Sequence, residues 1–491
     1  MQFPFVDPQS GTSYAPDRGE FGAPVLVADG VLPTIDGYAP FPSLYVTSGA
    51  TALASSPRGV YSLVLNSGSW QAYEFTADAL YQLQSDYTLV SVASGYACPT
   101  GYDWSGLHFG TKFLFTNTVD GLKSYDVEAG GAVTAISAAG APAFIFSCAN
   151  FIVALNCLDV NGNRDIRLIK TSGFNDQTNW TTDGADYQEL ADGEQILCGF
   201  DLKNNTALIV QSRALVRMVF GDAAGGAQFS LRKVSDGKGA VGAKACCSFD
   251  GMVFMLQTDD FYMYSEETGL VPIGADLTAR TFLASVDQTQ FGLVQCAVDP
   301  LHKVVLWRYK RSIDSSLSVS EVAIGYEWHL KRWFTITEQT SYLTRLATVA
   351  VSYNVATGTY DSQTLTYDDL FWSGAAPLFG ALDENYKFGV FTGTNLAGTI
   401  TTRVANSPNS GLLQWATPID DCATMTLELG VKDRLDASTS WKTAQSKGEN
   451  GAAPLDGRGL NIQFRSNYPA AATWSYAKGV DRVVGSTQGP R

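Results

Sequence analysis

From residue 204 to residue 274 the chain is a succession of short apolar runs separated by polar turns. Thr206–Ser212, Ala214–Gly221 and Ala227–Ser235 form one set, and Lys244–Phe249, Gly251–Gln257, Phe261–Ser265 and Leu270–Gly274 form the next. The runs are rich in Val, Ile, Phe, Tyr and Leu, too short for helices, and bounded by Gly, Asp, Asn or Ser. This pattern predicts antiparallel strands joined by tight turns. Two successive sets of this kind predict two blades of a β-propeller, with Ser235–Gly242 as the crossover.

The same grammar recurs along the chain. Units begin at Gly59, Gly110, Ala149, Asn205, Asp250 and Leu301, at spacings of 51, 39, 56, 45 and 51 residues. A four-stranded blade needs about 40–50 residues. Asp120-Gly121, Asn161-Gly162 and Asp236-Gly237 supply the positive-φ positions of hairpins. The fold expected is all-β, a propeller over residues 43–403 with six blades. Seven is the alternative if Leu343–Trp372 and Lys387–Arg403 add a blade. Residues 1–42 carry seven prolines (4, 8, 16, 24, 33, 40 and 42). That density predicts an extended arm that is neither helix nor central strand and lies on another surface. Residues 404–491 predict a small β-sandwich, with strands at Cys422–Val431, Gly459–Ser466 and Thr473–Val484 and a long polar loop at 432–456.

Composition agrees with this pattern. Gly numbers 47 and charged residues are only 16%, which favours turn-rich β structure, and 45% hydrophobic residues exclude a disordered chain. The net charge is −15, and residues 1–200 hold 20 Asp and Glu against 7 Lys and Arg. Nothing resembles the basic face of a nucleic-acid reader. The eight cysteines form no CxxC pair and most sit in apolar runs, as buried free thiols do. The first residues show no signal-peptide pattern. The uncharged stretch between Glu128 and Asp159 imitates a membrane span. Pro142, Ser147, Asn150 and Asn156 interrupt it, and it reads as two buried strands divided at Ala149-Asn150.

Candidate chemistry is sparse. His108, His302 and His329 show no convergence on a metal site or a nucleophile triad, and there is no nucleophile elbow, phosphate loop or zinc motif. Asn66–Trp70 loosely resembles the Asp-box turn of sialidase-type propellers. The acid pairs Asp259-Asp260, Asp368-Asp369 and Asp420-Asp421 are adjacent in sequence, so their side chains diverge on a strand. Glycosidases instead need two facing carboxylates. Asp159 to Asp165 spaces oxygens like part of a calcium loop, with its Gly misplaced and no terminal acid, so an Asn-Gly hairpin is the simpler reading. The basic clusters Arg308-Tyr309-Lys310-Arg311 and Lys331-Arg332 lie near Trp307, Trp328 and Trp333. They read as phosphate contacts, a protein interface or solvated strand ends. No catalytic, cofactor-binding or metal residue is assigned.

Several segments in order resemble the β-propeller tail hub or nozzle proteins of short-tailed bacteriophages, the packaged-DNA stabilisation family. They are Pro33-Thr34-Ile35-Asp36-Gly37-Tyr38, Asn150-Phe151-Ile152-Val153 followed by Phe174–Trp180, and Ala214-Leu215-Val216-Arg217-Met218 with Gly239. Gly251–Phe254, Phe261–Tyr264 and Val271–Gly274 follow, and then Arg458-Gly459 through Pro469 and the final Gly489-Pro490. The resemblance runs from about residue 33 to the end. Residues 1–32 and the 432–456 loop depart from it, and none of its motifs is catalytic.

The resemblance implies a non-enzymatic virion component, synthesised and assembled in the host cytoplasm, without cofactor or membrane insertion. It implies a homohexameric C6 ring below the portal and adaptor. That ring retains packaged DNA, passes it without sequence-specific binding, and anchors fibre, spike or plug proteins. An acidic lumen wall would let DNA slide. The rival expectations are a propeller glycosidase or lyase acting on host surface polysaccharide and a generic propeller binding module.

Overall fold

The computed structural model describes every residue except 1, 67–68, 192–193, 222–226, 276, 278–280, 315–319, 348–376, 407–411, 435–436 and 487–491. The strand after Asn205 shows why the sequence folds as it does. Thr206–Gln211 is buried at every position. Both of its faces press on neighbouring sheets, so it reads as a continuous apolar run rather than an alternating one. Asn204 and Asn205, at φ 51° and 59°, make the tight turn before it, a conformation that asparagine tolerates better than most residues. Phe151–Leu158 repeats the arrangement in the sheet before, with Ala149 and Asn150 in its turn. The uncharged stretch is therefore a buried hairpin, and no helix among the described residues is long and apolar enough to cross a membrane.

Four-stranded antiparallel sheets of this kind are arranged around one axis. Blade 1 spans Gly59–Val64 to Leu89–Ser94, and blade 2 spans Ser105–Phe109 to Thr134–Ala135. Blade 3 spans Phe144–Cys148 to Asp186–Glu189, and blade 4 spans Ile196–Lys203 to Phe229–Asp236. Blade 5 spans Cys246–Phe249 to Gly269–Pro272, and blade 6 spans Gln295–Asp299 to Arg332–Thr340. A seventh sheet closes the ring. It consists of Tyr342–Ala347, Pro377–Leu382, Phe388–Asn395 and, as its outer strand, Pro42–Tyr45 from near the start of the chain. Its first strand packs against the first strand of blade 1. The chain is thus a β-propeller, and the count is seven blades rather than the favoured six. Six contiguous units were legible, whereas the seventh takes strands from both ends of the propeller segment. The expected strands over 343–372 are described only at Tyr342–Ala347, and Asp368-Asp369 and Gly489-Pro490 lie outside the described residues.

Aromatic packing fills the seams between blades. Phe75 of blade 1 stacks on Trp104 at 5.0 Å and meets Phe113 and Phe115 of blade 2 at 5.9 and 5.3 Å. In the following seams, Phe151 of blade 3 meets Phe220 and Phe229 of blade 4 at 5.5 and 5.4 Å. The consecutive thiols Cys246 and Cys247 project to opposite sides of blade 5. Cys246 packs in the seam with blade 4, and Cys247 packs against the large core that includes Cys296 of blade 6.

The C-terminal segment builds a sandwich of two sheets. One contains Ala477–Ser486, Leu412–Asp420 and Ala453–Arg458, and the other contains Gly398–Thr402, Asn461–Tyr468 and Thr426–Lys432. Ala453–Arg458 begins inside the segment expected as a polar loop. The first residues of the chain are woven through both sheets. Phe3–Pro4 and Tyr38–Pro40 pair with Ala477–Ser486, while Val25–Asp29 lies between Gly398–Thr402 and the last strand of blade 6. Here the expectation of no central strand in residues 1–42 fails. The prolines fall before, after or at the ends of these strands, so Val25–Asp29 keeps its amide donors.

That strand joins the two halves of the molecule. The backbone amide of Gly30 donates to Thr335 O at 2.9 Å, and Thr335 Oγ1 donates to Asp29 Oδ1 at 2.7 Å. The sheet of blade 6 therefore runs on into the sandwich as one 11-stranded sheet. One hydrophobic core also spans blades 5 to 7 and the sandwich, with Phe41 packed between Phe334 and Phe391 at 5.9 and 5.7 Å.

Candidate functional site: the axial cavity

Each blade hands over to the next through a crossover leading into the next innermost strand. Several crossovers meet at one end of the ring axis. Two of them cross so closely that a Cβ on Gly242 would lie 2.6 Å from Gly292 O, which only glycine permits. Together they enclose an axial cavity of about 430 Å³. Every blade contributes to its wall, from Tyr61 of blade 1 to Tyr342 of blade 7. Tyr61, Tyr102, Trp104, Phe144, Phe200 and Tyr342 give the wall its aromatic part, and Ser105, Asn156, Gln195 and Gln295 its neutral polar part. Tyr61 donates its phenol hydrogen to Trp104 O at 2.6 Å, and Trp104 Nε1 donates to Thr76 O at 2.9 Å, which fixes both rings.

The charged groups of the cavity come from positions far apart in sequence. Asp103 and Lys244 each stand two residues before an innermost strand, in the crossovers into blades 2 and 5. They meet at 2.8 Å between Lys244 Nζ and Asp103 Oδ1. Burial pushes the Asp103 carboxyl up, and the nearby cations Lys244, Arg58 and Arg308 oppose that push. Burial draws Arg308 down to about 10. Arg308 donates to Thr340 O and Arg58 donates to Tyr102 O at 3.4 Å, yet the Nε of both guanidinium groups is buried without a partner among the described residues. Among the described residues neither Asp103 oxygen accepts a well-directed hydrogen bond. The Asn156 Oδ1 on the wall is likewise unpartnered. Cys246 and Cys296 line the cavity as well, and burial holds the Cys296 thiol well above its ordinary range, so it carries no thiolate at neutral pH.

The residues singled out from sequence lie elsewhere or have other duties. His108 is in blade 2, with its ring lowered in pKa by burial. His302 and His329 stand at two turns of blade 6. The first pairs with Asp299 at 2.6 Å, and the second's backbone amide is capped by Glu327. Among the described residues no group of three or more His, Cys, Asp or Glu could hold a metal ion. Asp159 Oδ1 accepts from the amides of Asn161 and Asn163, both at 2.8 Å, making a carboxylate-capped hairpin turn. Asp259 pairs with Lys238, and Asp260 caps the Phe261 amide. Asp420 binds Lys447 at 2.5 Å, while Asp421 binds the Ser475 backbone. Of Asn66–Trp70, Asn66 and Ser69 stand between the first two strands of blade 1, Trp70 begins the second, and residues 67 and 68 lie outside the described set.

The reading of the basic clusters as solvated strand ends holds for Lys331, exposed in its turn, but not for Arg308 or Arg332. Arg308 points into the interior beside the cavity. Arg332, 7% exposed, donates to the backbone oxygens of Gly11, Thr34 and Ile35 and so ties the N-terminal arm to blade 6. Sequence reading missed the ion pair of the cavity because Asp103 and Lys244 share no motif. A signal was present nonetheless: a charged residue two places before an innermost strand, once in Asp103-Trp104-Ser105 and again in Lys244-Ala245-Cys246.

No protein-family model and no curated protein matches this chain. Similar solved structures are propellers. A streptogramin B lyase is 10% identical, with a TM-score of 0.42, covering 71% of this chain and 97% of that one. The virginiamycin B lyase from Staphylococcus aureus has the same identity and TM-score, covering 71% and 98%. The Cps50 (Swd1) propeller domain of Myceliophteria thermophila is 9% identical, with a TM-score of 0.38, covering 71% and 98%. These are likenesses of fold alone.

Proposed function

We propose that this chain is a structural component of a bacteriophage tail, a nozzle or hub subunit that extends the DNA channel below the portal and adaptor. One observation carries the reading: blade 6 shares a continuous sheet with the sandwich, blades 5 to 7 share a hydrophobic core with it, and the chain's first residues are stitched through both halves. Such a body transmits force without a flexible linker between its halves, which suits a ring that holds a packaged genome.

The placement of charge fits the same role. Residues 59–189, blades 1 to 3, hold 13 Asp and Glu against 5 Lys and Arg. Blade 6 bears the sandwich, and in a seven-bladed ring blades 2 and 3 stand opposite it. Six copies with that arc turned inward would present DNA with a negative wall that does not grip phosphate. The subunit acts by assembly, channel lining and anchorage of fibre, spike or plug proteins, with no bond-making.

Imaging of assembled particles tests this directly. The expected density is a sixfold ring beneath the portal, with blades 1 to 3 facing the lumen. Absence of the chain from purified particles, together with a stable monomer in solution, would return the binding-module reading. Turnover of a host surface polysaccharide by the purified chain would establish the enzyme reading instead. A ring with Lys and Arg facing the lumen would keep the tail role and remove the sliding-wall mechanism.

A further inference from the structure

Four of the eight free cysteines gather in one place. Cys198, Cys246, Cys247 and Cys296 all sit on innermost strands, those of the consecutive blades 4, 5 and 6. The Cys198 and Cys246 thiols are side-chain neighbours in the seam between blades 4 and 5. Cys247 and Cys296 are neighbours in the same way between blades 5 and 6. Successive side chains on a strand point to opposite faces, so Cys246 and Cys247 serve one seam each and cannot bridge to one another. A lone buried cysteine is an inert small hydrophobe, and Cys98, Cys148, Cys157 and Cys422 fit that description, each packed in a different hydrophobic cluster. Two facing thiol pairs in adjoining seams are a different arrangement, since a disulfide needs side chains directed at one another from neighbouring backbones. The pairs are also within reach of a small reagent. Cys246 and Cys296 line the axial cavity, and Cys247 is the least buried of the four.

We infer that Cys198 with Cys246, and Cys247 with Cys296, are oxidation sites that close two disulfide bridges when the folded chain meets a small-molecule disulfide. One cysteine of a pair attacks a sulfur of the reagent, its S–S bond breaks, and one small thiol leaves with the attacker's proton. The partner cysteine then attacks the mixed disulfide and releases the second small thiol with its own proton. Two protein thiols and one small disulfide thus become one protein disulfide and two small thiols. Cys246 and Cys247 are the entry points, and Cys198 and Cys296 complete the bridges. Burial holds the Cys198 and Cys296 thiols well above their ordinary range, so the exchange is slow and the pairs stay reduced while the chain folds in a reducing medium. Each bridge closes a loop one blade long, and the two together fasten three consecutive blades at the axis. The inference is independent of the tail role, since it concerns seams within one propeller.

Incubation of the folded full chain with oxidised glutathione, followed by acid quenching, blocking of the remaining thiols and peptide mapping by mass spectrometry, tests the assignment. The expected products are two cross-links, Cys198 to Cys246 and Cys247 to Cys296, each marked by the loss of two hydrogens. The bridged chain is expected to melt a few degrees higher for each bridge, and dithiothreitol should reverse the gain. Cys198→Ser should abolish the first cross-link and Cys296→Ser the second, each leaving the other in place. If a variant does not fold, the map of the unaltered chain still decides. Stable glutathione adducts without cross-links, cross-links between other cysteines, or pairings that appear only after unfolding in urea overturn the inference. So does the absence of any cross-link after prolonged exposure to diamide, a smaller oxidant. A bridge in one seam alone keeps the inference for that seam and overturns it for the other, and bridges without a higher melting temperature overturn the fastening of the blades.

Discussion

Blades 4 and 7 have the same four-stranded form but opposite origins. Blade 4 comes from one stretch of sequence, Ile196 to Asp236, whose first three strands meet across short turns. Blade 7 is assembled from Tyr342–Asn395 and from Pro42–Tyr45, some three hundred residues away, the latter pairing through Val390↔Tyr45 and Phe391↔Leu44. A local blade stabilises itself. A composite blade locks the ring and makes its stability depend on the arm. Because the same arm also threads the sandwich, one segment secures both halves of this molecule.

The largest effect expected follows from removing that segment. A chain lacking residues 1–45 loses the outer strand of blade 7 and the strand joining blade 6 to the sandwich. It is expected to lose its cooperative thermal transition and near-ultraviolet circular dichroism. By contrast, a short Gly-Ser insertion at Asn204-Asn205 leaves both in place, since it lengthens only an exposed turn of a local blade. If the truncated chain melts like the full one, the arm is not the lock.

Arg332→Met isolates the tether. It withdraws one guanidinium from three arm carbonyls, and a loss of about 3 kcal/mol is expected by chemical denaturation. Limited proteolysis should then cut first within residues 1–40. Equal protection of the arm in the variant would place the tether elsewhere.

Glu74 probes the closing seam itself. It shares a face of its strand with Ala72, which packs in the cluster containing Leu378, Leu382 and Phe388 of blade 7. Burial pushes its carboxyl up to about 8 from 4.5, so the folded chain holds a proton that the unfolded chain releases. The unfolded state binds fewer protons between those values, so this group's contribution is most favourable below pH 4.5 and declines as pH rises towards 8. Glu74→Gln should therefore flatten the pH dependence, leave stability near pH 5 almost unchanged, and raise it by on the order of 2–3 kcal/mol at pH 7. A parallel shift at both pH values would show that the carboxyl is not buried as described.

The smallest effect belongs to the self-contained region. Arg217 of blade 4 reaches Glu266 of blade 5 at 2.7 Å, with both side chains about one-third exposed. Arg217→Ala should cost no more than about 1 kcal/mol. A larger loss would mean that the seam between blades 4 and 5 relies on charge rather than on its apolar packing.

How much was readable from sequence follows the same division. Each of blades 2 to 6 announces itself by a buried second strand and a turn residue with positive φ, such as Asn150, Asn205 or Asp250. The expected start at Gly59 coincides with the first strand of blade 1, whereas the starts at Gly110, Ala149, Asn205, Asp250 and Leu301 fall one strand late, because those turns mark the passage from first to second strand rather than the start of a blade. Cys422–Val431 and Gly459–Ser466 are legible as sandwich strands by their alternation. Val25–Asp29 is hidden by prolines that turn out to bracket it. Arg332, an apparent surface cation, is buried because the arm covers it.

The sequence alone determined what depends on neighbours a few residues apart: the all-β class, the blade period, the hairpin turns and the buried character of the thiols. Those are local properties of side-chain pattern and backbone φ. The tertiary structure decided the seventh blade, the continuous sheet from blade 6 into the sandwich, and the meeting of Asp103 and Lys244 at the axis. Strand pairing and charge convergence depend on which distant segments become adjacent, and hydrophobic periodicity carries no information about that until the ring is closed.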